Sequence, residues 1–257
     1  MRIDVNAFVG AYPWGRVPGT SPRALLAALD RAAIDAAWVT HLPGLFWRDP
    51  TEGNQWLYET CGTSPRLRPV PAVHPGLAHW PDVLKEAATR GAPAVRCDPC
   101  WYGLHPSGPE LRVLAAACGA ARLPLVLAVR LEDSRQRHPH DVAAELPAAA
   151  VRALIRSDEA LRLVITHADR AFVEEVHFGS SAAEARRMWW DISWIWGPPE
   201  EHLAAVLGTI GAERFVFGTG QPLRLPETAV AKLDLLDLPP VEREQIESGN
   251  LQDIIAD

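Results

Sequence analysis

No apolar run in this chain of 257 residues approaches the ~18 residues that a membrane-spanning helix needs. The first residues, MRIDVNAFVG, lack the charged start, the apolar stretch and the cleavage site of a secretory signal peptide. Lysine and arginine are scattered and the formal net charge is -7, so no basic stripe exists that could follow a nucleic-acid backbone. These absences predict a cytoplasmic protein that has neither membrane nor nucleic acid as a partner.

Cysteine is scarce, with four residues at positions 61, 97, 100 and 118. Because a secretory signal is missing, the thiols are expected to be reduced. Cys97 and Cys100 form a C-x-x-C pair, a spacing that can bind zinc or exchange disulfides. A second pair with this spacing is missing, which favours ordinary buried thiols.

What the sequence does contain is a regular alternation of short β-branched or apolar segments with longer segments of helical spacing, which is typical of parallel βαβ units. The predicted strands are residues 2–8, 36–42, 68–74, 92–98, 124–130, 162–168, 187–193 and 214–220. Ser21 and Pro22 are the predicted N-cap and first residue of the first helix.

Eight such units in a chain of this length predict an α/β protein with a (β/α)8 TIM barrel, in a single domain of residues 1–257. An open doubly wound sheet is the alternative. It is disfavoured because the segment after the first strand, NAFVGAYPWG, does not contain a glycine-rich phosphate loop.

Several segments, taken in their order along the chain, resemble the amidohydrolase superfamily and specifically its amidohydrolase 2 branch, which holds decarboxylases, hydratases and lactonases. The matching segments are RIDVNAF, VPAVHP, LRLVITHADR, MWWDIS, RFVFGTGQP and ESGNLQDII. The resemblance covers nearly the whole chain. It implies a TIM barrel with its site at the carboxyl ends of the strands, and a homodimer.

The resemblance also shows where this chain departs from the family, whose members hold a catalytic metal ion. The His-x-His pair of the first strand corresponds to Asn6 and Phe8, the histidine of the fifth strand to Ala128, and the aspartate of the eighth strand to Gly220. A divalent metal ion needs three or four converging N, O or S donors. The expectation is therefore a degenerate metal site and no cofactor, with Gly220 in place of a lost ligand.

The charged segment 130–141, RLEDSRQRHPHD, follows the predicted fifth strand. Arg130 is expected to point into the barrel mouth, hold a substrate carboxylate together with Arg135 or Arg48, and partly replace the metal's charge. Glu132 is a candidate to orient the arginines or to act as a general base. The alternative is a solvated loop whose charges pair with one another.

His167 is the main candidate for proton transfer, because histidine titrates near neutral pH and the position matches a histidine of the family. Asp98, Asp191 or Glu132 is expected to assist it. The alternative is a structural histidine that is hydrogen-bonded to Asp4 or Asp191.

The remaining candidates are binding residues and a relocated metal site. Substrate contacts are predicted for four further residues, namely Asn6, His41, Trp101 and Trp194. The tryptophan-rich segment MWWDISWIWG could instead pack a subunit interface. If a divalent ion such as zinc binds, its predicted ligands are His138, His140, His167 and Asp169.

Two functions follow from these observations. The first is a hydrolase or a carbon-carbon lyase that acts without a metal ion on a small anionic molecule, either a carboxylate or a cyclic ester. The second is a catalytically inactive barrel that binds a ligand, regulates, or stabilises an active paralogue.

Overall fold

The computed structural model describes residues 1–255, which form eight parallel strands that alternate with helices. The strands are β1 (Ile3–Val9), β2 (Ala36–His41), β3 (Leu67–Pro69), β4 (Val95–Arg96), β5 (Leu125–Ala128), β6 (Leu163–Thr166), β7 (Met188–Asp191) and β8 (Phe215–Val216). Each overlaps one of the eight predicted segments. All except β1 are shorter than predicted, because only part of each predicted segment pairs in a ladder.

The strands close into a barrel. β1, β2 and β3 form one parallel ladder, and β4 to β8 form another in the order of the sequence. A bridge between Ala72 and Arg96 joins the two ladders on one side. On the other side the backbone amide of Val5 donates to the carbonyl of Phe217 over 2.9 Å. The predicted (β/α)8 TIM barrel is confirmed.

The helices surround the barrel. They are α1 (Pro22–Arg31), α2 (Thr51–Cys61), α3 (Trp80–Thr89), α4 (Pro109–Ala121), α5 (Ala148–Ser157), α6 (Arg170–Phe178), α7 (Ala182–Ala185), α8 (His202–Ile210), α9 (Pro226–Leu235), α10 (Pro240–Glu244) and α11 (Leu251–Ile255). Ser21 caps α1 as predicted, since its side chain accepts a hydrogen bond from the amide of Ala24. In the described part of the chain, no helix is both long enough and apolar enough to cross a membrane.

Two of the three buried apolar clusters lie around and below the barrel centre. The larger one lies between the strands and the surrounding helices. The smaller one fills the lower part of the barrel and is covered by α11; it contains Ile3, Val5, Trp38, Val70, Ala94, Val126, Val164, Trp189, Val216, Leu251 and Ile254. Because side chains alternate along a strand, the residues two positions after these also face the interior. Arg96 and Asp191 are therefore placed above the apolar layer, towards the carboxyl ends of the strands.

The first strand changes face through an irregularity in its pairing. The register between β1 and β2 shifts between Asp4 and Ala7. Ile3 and Val5 pack in the lower layer, whereas Asn6 reaches the barrel centre. A β-bulge of this kind re-aims a side chain without ending the strand.

Candidate active site

Five polar residues occupy the barrel centre, and each is at most 1% exposed. This central polar group consists of Asn6, Arg96, Asp98, His167 and Asp191. They come from β1, β4, β6 and β7 or from the residues directly after these strands, so the barrel brings them together although they span most of the chain. Four of the five were predicted from the sequence, and the structure adds Arg96.

The amide of Asn6 connects three of the other members. Its Nδ2 donates to His167 Nε2 over 2.9 Å and to Asp191 Oδ2 over 2.8 Å. Its Oδ1 accepts from Arg96 Nη1 over 3.1 Å. Both amide hydrogens and the amide oxygen are thus used, which fixes the orientation of the side chain.

His167 is held as a neutral imidazole. Its Nδ1 lies 2.7 Å from the carbonyl oxygen of Arg130, which can only accept, so Nδ1 carries the proton and Nε2 accepts from Asn6. Burial, with the charges of Arg96 and Arg224 adding to it, holds the pKa of His167 well below its usual range. The backbone amide of His167 also donates to Asp191 Oδ1 over 2.9 Å.

Arg96 places a guanidinium group inside the barrel. Its Nε donates to Asp98 Oδ2 over 2.8 Å, and its guanidinium carbon lies 4.7 Å from the centre of the Phe8 ring. Among residues 1–255 its buried Nη2 has no hydrogen-bond partner. A buried cation thus contacts Asn6, the position for which the family resemblance implies a metal ligand, and one of its donor groups is free.

Asp4 ties β1 to the end of β8. Its Oδ1 accepts from the backbone amides of Asn6 and Thr219, and its Oδ2 accepts from Thr219 Oγ1 over 2.6 Å. Burial raises the pKa of Asp4 to about 6, although these hydrogen bonds oppose the rise. Burial likewise raises the pKa of Asp191.

An apolar layer closes the central polar group from above. The layer contains Phe8, Tyr12, Leu42, Leu45, Ala72, Ala128 and Leu131. Tyr12, in the segment after β1, donates its hydroxyl to Glu132 Oε2 over 2.5 Å and so joins this segment to the one after β5. Glu132 is therefore a hydrogen-bond partner of Tyr12 rather than a base beside His167.

Beside this layer lies an open cavity of about 420 Å³, here called the mouth pocket. It is lined by Arg130, Asp133, Arg135, Gln136, Asp169, Ser193, Trp194, Trp196, Arg224, Thr228 and Lys232. Four cationic side chains face two carboxylates, so the pocket carries an excess of positive charge. Trp194 separates it from the central polar group, and the centroid of its ring lies 5.8 Å from that of His167.

The arginines of the mouth pocket differ in their partners. Arg130 donates to Asp169 Oδ2 over 2.6 Å and pairs with Glu145 over 2.9 Å, while its buried Nε is unpaired among the described residues. Arg224 stacks on Trp194, with its guanidinium carbon 3.7 Å from the ring centre. No group within residues 1–255 accepts a hydrogen bond from the guanidinium of Arg224. Burial lowers the pKa of Arg224.

Comparisons with known proteins identify the family. A family model described as amidohydrolase matches residues 10–250. The chain belongs to this amidohydrolase family. No curated protein sequence matches this chain significantly.

Solved structures share its fold at low sequence identity. A 2,6-dihydroxybenzoate decarboxylase, complexed with 2,6-dihydroxybenzoate, is 15% identical with a TM-score of 0.78, over 99% of this chain and 98% of that one. A dihydroxybenzoic acid decarboxylase from Polaromonas sp. JS666, with bound manganese and 2-nitroresorcinol, is 14% identical. The match has a TM-score of 0.76 and covers 99% of this chain and 96% of that one. A probable 2-pyrone-4,6-dicarboxylic acid hydrolase from Acinetobacter baumannii, with citric acid bound, is 12% identical. The match has a TM-score of 0.69 and covers 100% of this chain and 99% of that one.

The donors at the barrel centre do not fit a divalent metal ion. His167 Nε2 and the Asn6 oxygen already accept hydrogen bonds, and the guanidinium of Arg96 would repel a second cation. Within the described residues, no three His, Cys, Asp or Glu side chains are grouped so that they could hold a metal. The absence of a cofactor stays a prediction until metal content is measured.

The relocated metal site is not assembled. His138 stacks on Trp14 with ring centroids 5.3 Å apart, and His140 meets the same ring edge-on. His167 and Asp169 bond to Arg130 instead. The four predicted ligands therefore lie in two separate groups, because the His-Pro-His segment folds against an aromatic side chain.

Other predicted site residues have different surroundings. Arg48 is exposed and does not line the mouth pocket, so the structure does not bring it to the site. His41 is buried between Trp47 and Trp56, and burial lowers its pKa to about 4. Trp101 donates its indole N–H to Asp141 Oδ1 over 3.2 Å.

Two further expectations concern charge and cysteine. Arg135 lines the mouth pocket but is itself paired with Asp133 over 2.8 Å, as in the alternative of a self-paired loop. Arg130 was expected to replace the metal's charge, yet the cation at the centre is Arg96.

All four cysteines are free thiols, and burial raises the pKa of Cys97 well above its usual value and that of Cys100 to about 11.

The sequence interpretation missed Arg96, Arg224 and Lys232. The alternation of Ala94, Arg96 and Asp98 along the fourth strand could have indicated Arg96, since one face of that strand carries all three. Arg224 and Lys232 follow the eighth strand, where loops of TIM barrels build active sites.

Proposed function

We propose that this amidohydrolase is a metal-independent hydrolase or carbon-carbon lyase for a small carboxylate or cyclic ester. The observation that carries the proposal is Arg96, a guanidinium that is 1% exposed at the barrel centre and has an unpaired Nη2. It supplies a permanent positive charge among residues at the carboxyl ends of the strands, the place where TIM-barrel enzymes carry out their chemistry.

A fixed cation suits the reactions of this class. Decarboxylation and ester hydrolysis both develop negative charge on the substrate as bonds break. A cation that is already oriented in a dry site stabilises such charge more strongly than one in water. The free N–H of Arg96 Nη2 is the donor that would contact the substrate oxygen.

The mouth pocket suits the binding of an acid. Arg224 has an unpaired guanidinium on the face of Trp194, and a planar fork of donors matches the two oxygens of a carboxylate. The ligand of the decarboxylase structure, 2,6-dihydroxybenzoate, is likewise a small carboxylate. Arg130, whose carbonyl orients His167, lines the same pocket.

Proton transfer is assigned to His167. Its protonated Nδ1 is bound to a carbonyl, so Nε2 is the nitrogen able to accept a proton. Asn6 now donates to that nitrogen. In the proposal, the apolar layer opens and the amide of Asn6 moves aside when substrate enters, which leaves His167 and Arg96 facing it.

Turnover assays with matched arginine variants test the proposal. Purified protein is treated with a chelator and assayed with 2,6-dihydroxybenzoate and 2-pyrone-4,6-dicarboxylate. We expect turnover that the chelator does not reduce, a loss of at least ~100-fold in Arg96→Met, and no change in Arg112→Met. Arg112 is an exposed residue of α4 that serves as the control. Turnover that requires added manganese, or that persists in Arg96→Met, contradicts the proposal.

A second candidate is a catalytically inactive barrel that binds a small anion, regulates, or stabilises an active paralogue. One observation favours it: His167 and Arg96 are closed off beneath the apolar layer, while the mouth pocket stays open. Calorimetry with the same two acids separates the candidates. Binding without any product in the wild type, weakened in Arg224→Met, supports the second candidate and excludes the first for those compounds.

A homodimer is part of the proposal. Trp196 is 56% exposed beside the mouth pocket, and exposed tryptophan is enriched where subunits meet. Sedimentation velocity measures the assembly. A wild-type dimer that becomes a monomer in Trp196→Ser supports a dimer interface at Trp196. A monomeric wild type contradicts the homodimer.

A further inference from the structure

The chain has two lysines, Lys85 and Lys232, and its other basic side chains, histidine apart, are all arginine. Lys85 is exposed on α3, whereas Lys232 on α9 lines the mouth pocket. Arginine keeps its proton in proteins, but a lysine amine can lose its proton and become a nucleophile. The place of Lys232 therefore offers chemistry that the surrounding arginines cannot provide.

The amine of Lys232 is held in a fixed position without a counterion. Its Nζ lies 2.9 Å from the carbonyl oxygen of Ile192 and 2.9 Å from that of Ser193. No carboxylate in the described part of the chain pairs with it. Its stem packs on Gly197, where an added Cβ would lie 2.7 Å from Lys232 Cγ.

These two carbonyls orient the unprotonated amine. A neutral amine has two N–H groups, and here each can donate to one of the carbonyl oxygens. The lone pair is then free of hydrogen bonds and directed away from both carbonyls.

The surroundings of Lys232 favour the unprotonated form of its amine. Burial, followed by the positive charge of Arg224, lowers the pKa of Lys232 to about 8, while Asp191 opposes the shift. The other charged groups that line the pocket are Arg130, Asp133, Arg135 and Asp169. Near pH 8 a substantial fraction of this amine is therefore unprotonated, in contrast to an ordinary exposed lysine.

The charges of the mouth pocket also indicate which kind of ligand would reach the amine of Lys232. Asp133 and Asp169 are already bound to Arg135 and Arg130, so they do not neutralise the pocket further. Arg224 has no acceptor among residues 1–255. The ligand that complements this pocket carries a carboxylate for Arg224 and an electrophilic carbon for the amine.

We infer that Lys232 forms an imine with a small 2-oxo acid or aldehyde acid, whose carboxylate binds Arg224. The nitrogen lone pair attacks the carbonyl carbon and the C=O π bond breaks; the nitrogen then loses one proton and the former carbonyl oxygen gains one, which gives a neutral carbinolamine. Loss of one water molecule then forms the C=N bond, and a proton from solvent makes the iminium ion. No oxidant, reductant or further co-reactant is needed, and the step does not depend on the hydrolase or lyase reaction proposed above.

Reductive trapping tests the inference on the whole protein. Glyoxylate and cyanoborohydride are added at about pH 8, and peptide mapping by mass spectrometry measures carboxymethylation at each amine. Lys85 is the internal control within the same chain. We expect Lys232 to be labelled at least ~10-fold faster than Lys85, because its amine is more often unprotonated and its pocket attracts the acid.

Three comparisons complete the test. Acetaldehyde, which lacks the carboxylate, is expected to show a much smaller preference for Lys232. Arg224→Met is expected to reduce the preference for glyoxylate to the level seen with acetaldehyde, and Lys232→Arg to leave only Lys85 and the N-terminal amine labelled. Equal labelling of the two lysines by glyoxylate overturns the inference, and so does an unchanged preference in Arg224→Met. The readout is a covalent adduct, so a wild type without hydrolase or lyase turnover does not affect it.

Discussion

Gly220 lies against His167 so closely that a side chain at position 220 would overlap the imidazole. A Cβ built on Gly220 would stand 2.9 Å from His167 Nε2. The imidazole cannot easily give way, because Nδ1 is bound to the carbonyl of Arg130 and Nε2 to the amide of Asn6. The glycine therefore makes room for the central polar group, at the position where the family resemblance implies an aspartate.

Replacement of this glycine is expected to destabilise the protein through that contact. Gly220 has a φ of +74°, so alanine introduces both backbone strain and the clash with His167. Gly91 has a φ of +66° with nothing within 4 Å of its added Cβ, so Gly91→Ala reports the backbone strain alone. Urea unfolding is expected to show Gly220→Ala less stable than Gly91→Ala by about 1–3 kcal/mol.

A double variant identifies the source of that difference. When His167→Ala removes the ring, the additional cost of Gly220→Ala relative to Gly91→Ala is expected to disappear. If Gly220→Ala and Gly91→Ala lower the free energy of unfolding equally in the otherwise wild-type protein, the imidazole of His167 is not held in place by its hydrogen bonds.

The pKa of Asp4 predicts how stability changes with pH. The pKa of about 6 in the folded state lies above the ordinary value of 3.8 for an aspartate, so the folded state binds the proton more tightly. Protonated Asp4 therefore adds about 3 kcal/mol to the free energy of unfolding. This contribution is fully present below pH 4 and is lost as the pH rises through 6. Chemical denaturation between pH 4 and 7 measures this change.

Asp4→Asn is the matched control. The amide can still accept from the two backbone amides, and its NH2 group can donate to Thr219 after the hydroxyl of Thr219 rotates. We expect the variant to fold and to lack this part of the pH dependence. Parallel stability curves for the two proteins across pH 4 to 7 would refute the assignment.

His167 is expected to stay neutral throughout the ordinary pH range. Its pKa is held well below its usual value, primarily by burial, so lowering the pH towards 5 should not protonate it in the folded state. Nitrogen-15 NMR of the imidazoles is expected to show the Nδ1–H tautomer of His167 from pH 5 to pH 9. The appearance of a charged His167 signal near pH 6 would contradict the tautomer and its hydrogen bonds.

Arg96 and Asp98 form a buried ion pair over 2.8 Å, with side chains 2% and 0% exposed. Arg96→Met leaves the carboxylate without its charged partner, which is expected to cost about 3–5 kcal/mol of unfolding free energy. In Arg96→Met with Asp98→Asn the loss should be smaller than the sum of the two single effects. Urea unfolding of the four proteins measures the coupling, and additive losses would argue against the pair.

The fold could be predicted from the sequence because its elements are marked locally. Each strand is a short buried apolar run, and a helix such as α1 begins at a clear cap, Ser21 with Pro22. The ends of the strands could not be predicted as well. The fourth predicted segment runs from 92 to 98, but only Val95 and Arg96 pair in β4, because ladder length depends on the neighbouring strands.

The site was predicted only in part, and the reasons are physical. Asn6, His167, Asp98 and Asp191 stand at or near strand ends, which a sequence reveals. The cation was assigned to Arg130 because it begins a charged segment, whereas Arg96 had the appearance of an ordinary residue within a strand. Lys232 is brought to the mouth pocket by the packing of α9, and that contact is not visible in the order of residues.

The central claim, that the positive charge of Arg96 serves in place of a metal ion, is tested most directly by metal content. Untagged protein, purified without chelator and then dialysed against manganese and zinc, is analysed by elemental mass spectrometry. The account predicts less than about a tenth of an equivalent of any divalent metal. A stoichiometry near one would contradict it.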